Sequence, residues 1–235
     1  MSPVGGLVVD GEAVQEFLDK AEPLLEPPVQ TALDAALHRR TDRVHREDIG
    51  WAARWALAPV SRRVSPAERL RWQPELEPIW ALAAAGDGEG LLSRLAERPT
   101  APDWLLDWAT YWLNIYAPEW PWWGRWVYRR EGGTGALPLV TGDLDGLRGA
   151  GLVEAYAAIR QDVRFLGSVL DSTRRLTAVS DEHRPLVALG AVYAVYMFTM
   201  AAWKLTEEFT RVFPPFPVVL QTLLGVRRWE AMERG

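Results

Sequence analysis

Asp103-Trp-Leu-Leu-Asp107-Trp-Ala-Thr-Tyr-Trp112-Leu-Asn-Ile-Tyr116 is the stretch on which the fold turns. Trp104, Trp108, Trp112 and Tyr116 recur at every fourth residue, so on a helix their rings stack along one face. The spacing predicts a helix over about 101–116, started by Thr100-Ala-Pro-Asp103, and it excludes a strand, whose side chains alternate. An aromatic stripe at helical spacing packs a core in most proteins. Asp103 and Asp107 share a neighbouring face, and acids beside aromatic rings suit a cationic ligand or a sugar. Asp103, Trp104, Asp107, Trp108 and Trp112 therefore form a candidate ligand pocket. The two acids alone do not make a glycosidase dyad, which needs a raised-pKa partner across a cleft.

Immediately downstream lies Trp120-Pro-Trp122-Trp123-Gly-Arg125-Trp126. Eleven of the thirteen tryptophans lie between Trp51 and Trp126. The prolines and Gly124 break any helical period, so some of these rings are expected at the surface, where clustered Trp and Arg mark association sites. Trp120, Trp122, Trp123, Arg125, Trp126, Tyr128, Arg129 and Arg130 are the candidate partner-binding segment. A protein partner or a second copy of the chain is the expected occupant. Arg125–Arg130 and Ala136–Thr141 flank a Glu131-Gly-Gly-Thr-Gly135 turn and predict one short β-hairpin. Pro138 would confine its second strand to an edge.

Upstream, helices are expected over 11–26, 29–40 and 46–57, with a polar connection at 39–44. Ser65-Pro-Ala-Glu68 is a complete capping box, and Pro74 and Pro78 predict that the helix after it is short or kinked. From Arg39 to Arg71 there are nine arginines against four acids, while the 38 residues before hold seven acids and Lys20. Such neighbouring belts pair on the surface. A phosphate patch at Arg39–Arg71 is the alternative and the one route to nucleic acid, which the net charge of −5 opposes. His38, Asp42 and His45 would align as metal ligands on a continuous helix. But Thr41-Asp42 reads as a turn and His183 is distant in sequence, so no metal site is expected.

Toward the C-terminus, Leu152 to Thr173 repeats apolar residues at three and four. Ser180, with Asp181 and Glu182, caps a helix expected to reach about 212. Pro214, Pro215 and Pro217 end it, and Val218–Val226 begins a last helix. Pro185–Trp203 contains no charge. At about 1.5 Å per residue it could just cross a bilayer core of about 30 Å, with Arg184 and Lys204 at its ends and Trp203 at the interface. Tyr193, Tyr196 and Thr199 would then meet lipid without partners. A buried central helix is the favoured reading and a membrane anchor the alternative.

The chain has no cysteine, which excludes disulfides, thiolate nucleophiles and Cys-ligated metals. No Gly-rich phosphate loop, nucleophile elbow or H-E-x-x-H occurs, so no catalytic residue and no cofactor is expected. Arg-rich, Lys-poor usage with the single Asn114 points to a GC-rich prokaryotic genome. The first ten residues lack the basic start and apolar run of an export signal, which points to the cytoplasm, with membrane association as the alternative. The expected fold is mainly α. It is a multi-helix bundle with a Trp-rich irregular centre and at most one short hairpin, in regions 1–99, 100–149 and 150–235. The function expected first is a non-catalytic accessory subunit docking through the Trp/Arg segment. The alternatives are a membrane-associated accessory protein and a small-molecule binder or enzyme with an aromatic, acidic pocket.

Overall fold

The structure, a computed structural model, describes residues 9–142, 147, 149–204 and 214–233. Ten α-helices form there: α1 Gly11–Ala21, α2 Pro27–Arg46, α3 Trp51–Leu57, α4 Pro66–Ala84, α5 Gly88–Ala96, α6 Asp103–Tyr116, α7 Leu152–Thr173, α8 Arg184–Lys204, α9 Phe216–Leu223 and α10 Arg227–Glu233. The expected continuation of α8 over 205–212 and the side chain of Trp203 lie outside the described residues. One hydrophobic core runs from Val9 to Trp229 through all three sequence regions.

The chain departs from expectation where tertiary contacts outweigh local signals. α1 starts on Asp10, whose carboxylate accepts from the Glu12 and Ala13 amides at 3.0 and 3.1 Å. It stops at Ala21, before Pro23, in a 3-10 turn over Glu22–Leu24. The polar connection expected at 39–44 is helical, inside α2. Arg40 there is buried and donates to the Leu224 carbonyl at 3.0 Å. Asp42–Arg46 and Arg43–Glu47 add pairs one turn apart on the outer face. The capping box starts α4 as expected, with Ser65 Oγ accepting from the Glu68 amide. Pro74 and Pro78 do not break α4. Each removes one backbone bond, and Pro74 lies on an exposed side where water can satisfy the freed carbonyl of Leu70.

α6 is the central helix. Every residue from Leu105 to Ile115 is buried, among α2, α4 and α5. Trp108 and Trp112 are wholly enclosed, so this part of the stripe is core, while Trp104 is only partly buried. α8 packs against α1, α7 and α9 and buries Leu186–Val192, leaving Tyr196 and Thr199 at the surface. Among the described residues no helix is long and apolar enough to cross a membrane. The membrane-anchor reading of Pro185–Trp203 is corrected accordingly.

The expected hairpin reduces to one bridge. Arg129 and Thr134 exchange backbone bonds of 2.7 and 3.3 Å, and no strand forms among the described residues. The returning chain coils into a 3-10 turn at Leu137–Leu139 around Pro138. Gly135, at φ +131°, lets it pass so close that a Cβ would lie 2.5 Å from the Val127 carbonyl oxygen.

Candidate functional site

The tryptophan loop is buried, contrary to the expectation of exposed rings. Trp120, Trp122, Trp123, Trp126 and Tyr128 are all between 1% and 8% exposed. Irregular backbone can enter a core only if its polar groups find partners. α6 supplies them from three side chains, Asp107, Thr110 and Asn114, spaced to lie along one face. Trp122 Nε1 donates to Asp107 Oδ1 at 2.8 Å. The Trp123 amide donates to Thr110 Oγ1 at 3.0 Å. Asn114 Nδ2 donates to the carbonyls of Trp120 and Pro118 at 3.0 and 3.3 Å. From the other side, the Tyr156 hydroxyl of α7 donates to the Pro121 carbonyl at 2.9 Å, and Trp123 Nε1 closes the loop onto the Tyr128 carbonyl. Trp120 lies over Gly88, so close that a Cβ there would fall 2.2 Å from the ring, and the Arg160 guanidinium covers it at 3.3 Å.

Where this loop meets the start of α6, a pocket of about 510 Å³ opens. It joins the two sequence candidates. Asp103, Trp104 and Asp107 line it from α6, and Trp123, Arg125, Tyr128 and Arg129 from the loop. Trp108, Trp112, Trp120, Trp122, Trp126 and Arg130 do not line it. Three further charged groups, Arg63, Glu68 and Glu131, complete the wall. Asp107 is its buried polar floor. Arg63 Nη2 donates to Asp107 Oδ2 at 2.5 Å, opposite the Trp122 bond to Oδ1. Burial pushes this carboxyl up from the ordinary 3.8 to about 6, and Arg63, Trp122 and Arg125 only partly offset it. At the mouth, Arg129 pairs with Glu131 at 2.8 Å and Glu68 is held by Ser65. Arg125 and Asp103 are exposed and, among the described residues, neither makes an ion pair or a hydrogen bond.

The sequence pattern did not single out Arg63, Thr110 or Tyr156. Their roles arise from contacts across 13 to 44 positions, which no local spacing records. Arg130 turns away from the pocket and donates to the Ala150 carbonyl. Within the Arg39–Arg71 belt, Arg43, Arg46 and Arg54 pair with local acids, Arg69 covers the ring of Trp55, and Arg63 serves the pocket. Comparison with protein families, with characterised proteins and with solved structures finds no match to this chain.

Proposed function

We propose that this protein binds a small zwitterion of the free amino-acid type in the pocket between α6 and the tryptophan loop. The observation that carries the reading is the pair Arg125 and Asp103, opposite charges on facing walls of the pocket whose side chains, among the described residues, form no ion pair or hydrogen bond. A guanidinium takes a carboxylate and an aspartate takes an ammonium, each as a charge-assisted hydrogen bond. The partly exposed Trp104 offers the ligand's side chain an apolar face. The wall carries three arginines and four acids, which favours a ligand bearing both signs over a strong anion or cation. The burial of the tryptophan rings weighs against docking through them.

Calorimetric titration against the common amino acids, with monosaccharides and simple dicarboxylates as comparison arms, tests the reading. Binding is expected for one or a few amino acids, with quenching of Trp emission. Arg125→Gln and Asp103→Asn should each weaken it at least about tenfold without altering the melting temperature. Binding confined to sugars or dicarboxylates, or affinity unchanged in both variants, would overturn it.

A further inference from the structure

On the side of α2 that meets the entry to α8, two of the chain's three histidines converge. We propose that Asp34, His38 and His183 bind a divalent transition-metal ion of the zinc class. His183 Nδ1 lies 3.0 Å from Asp34 Oδ1, and His38 Nε2 lies 3.3 Å from Asp34 Oδ2. One ligand atom from each residue falls within 4.8 Å of the others. Zinc bonds of about 2.0–2.1 Å at tetrahedral angles put neighbouring donors about 3.4 Å apart. The three side chains therefore need only small rotations to surround one ion. Two imidazoles and a carboxylate, with no sulfur, select for zinc, cobalt or nickel over calcium or magnesium.

The groups behind these donors fit the same reading. A metal-bound histidine usually gives its other ring N–H to a carboxylate. The remaining nitrogens, His38 Nδ1 and His183 Nε2, lie 3.6 and 3.9 Å from the same oxygen, Glu182 Oε1. Asp34 is held in turn by Ser180, whose hydroxyl and amide donate to Oδ1 at 2.7 and 3.2 Å. His183 is buried, so its ring is positioned by the fold, while His38 is half-exposed and leaves a route for the ion and for a water as fourth ligand. Without metal, a proton bridges His183 Nδ1 and Asp34 Oδ1. On binding, that proton leaves to solvent and the metal takes its place. The arrangement was hidden from the sequence because Asp34 and His183 are 149 positions apart. The other histidine of α2, His45, stands edge-on to Tyr116 at 5.2 Å and takes no part.

The test titrates chelator-treated full-length protein with Co²⁺, followed by visible absorption, and then with Zn²⁺ in competition with a chromophoric chelator. One equivalent of Co²⁺ should bind with the intense bands of a four- or five-coordinate site. His38→Ala, at a half-exposed position, should fold and bind at least about tenfold more weakly. His45→Ala should bind as the parent does. Zn²⁺ should shift the imidazole NMR signals of His38 and His183 together and leave those of His45 in place, a readout that needs no His183 variant to fold. Absence of stoichiometric Co²⁺ binding, full affinity in His38→Ala, or an unmoved His183 signal would each overturn the site.

Discussion

Replacing Asp162 by Asn should make folding less sensitive to pH, by an amount the structure sets. Asp162 lies on the inner face of α7, 1% exposed, and among the described residues neither of its carboxylate oxygens has a hydrogen-bond partner. Burial alone pushes the carboxyl from the ordinary 3.8 to about 7. An acid whose folded pKa is raised holds its proton more tightly in the folded chain than in the unfolded one. Its contribution to stability is full below about pH 3.8 and is lost as pH rises through about 7. The gap of about three pH units, at about 1.4 kcal/mol each, amounts to about 4 kcal/mol. Asparagine has the same shape and is neutral throughout. The assay is urea unfolding of both proteins at a series of pH values from about 4 to 8, analysed by linear extrapolation. Subtracting one curve from the other removes every titrating group the two share. The variant should gain on the parent by about 4 kcal/mol across that range, mostly below pH 7. Burying an unpartnered amide lowers the variant's curve by a constant and leaves the slope untouched. A flat difference would refute a buried, ionisable Asp162. A reversed slope would show that a cation reaches the carboxylate in solution.

Three other outcomes follow from particular contacts. Trp122→Phe takes one hydrogen bond from the Asp107 carboxylate and should destabilise by about 1.5–3 kcal/mol at pH 7.5. Because that carboxyl titrates near 6, the loss should shrink at about pH 5, as urea titrations at the two pH values would reveal. Gly88→Ala drives a methyl into the Trp120 ring and should lower stability by about 1–3 kcal/mol, whereas Gly50→Ala, in open space, serves as the control in thermal melts. Trp229 Nε1 donates to the Tyr111 hydroxyl at 2.8 Å in the core, so Trp229→Phe and Tyr111→Phe should couple by about 0.5–1.5 kcal/mol in a double-mutant cycle.

What the sequence made legible was local. The four-residue repeat of Trp104, Trp108 and Trp112, the Ser65–Glu68 capping box and the period of α7 are signals within a few turns, and each marks a helix that forms. Thr41-Asp42 misled because turn propensity is worth a fraction of a kcal/mol. Burying Leu37 and Val44 on either side in the core outweighs it, and Arg40 between them finds its acceptor, the Leu224 carbonyl, 184 positions away. The tryptophan loop misled for a related reason. Pro and Gly do signal irregular backbone, and the backbone is irregular. Whether irregular backbone sits inside or outside depends on who satisfies its carbonyls, and Asn114 and Tyr156 cannot be recognised as those donors from spacing. The pocket was half visible: both of its walls were nominated, as separate candidates with separate purposes. Their meeting, and the Arg63 that bridges to Asp107, needed the fold.

The way the C-terminal helices close over α6 bears on how the chain is made. Arg40 finds its acceptor at Leu224, Tyr111 donates to the Gly225 carbonyl, and Arg228 donates to the backbone carbonyls at Ala56, Ala58 and Pro59. A ribosome that has delivered the first 200 residues has released the central helix but not the groups that seal it. The nascent intermediate must therefore carry a buried-to-be arginine and the flank of Trp112 open to water, waiting for α9 and α10. Until α9 and α10 emerge, the aromatic interior around α6 lacks its cover and is exposed to chaperones and to aggregation.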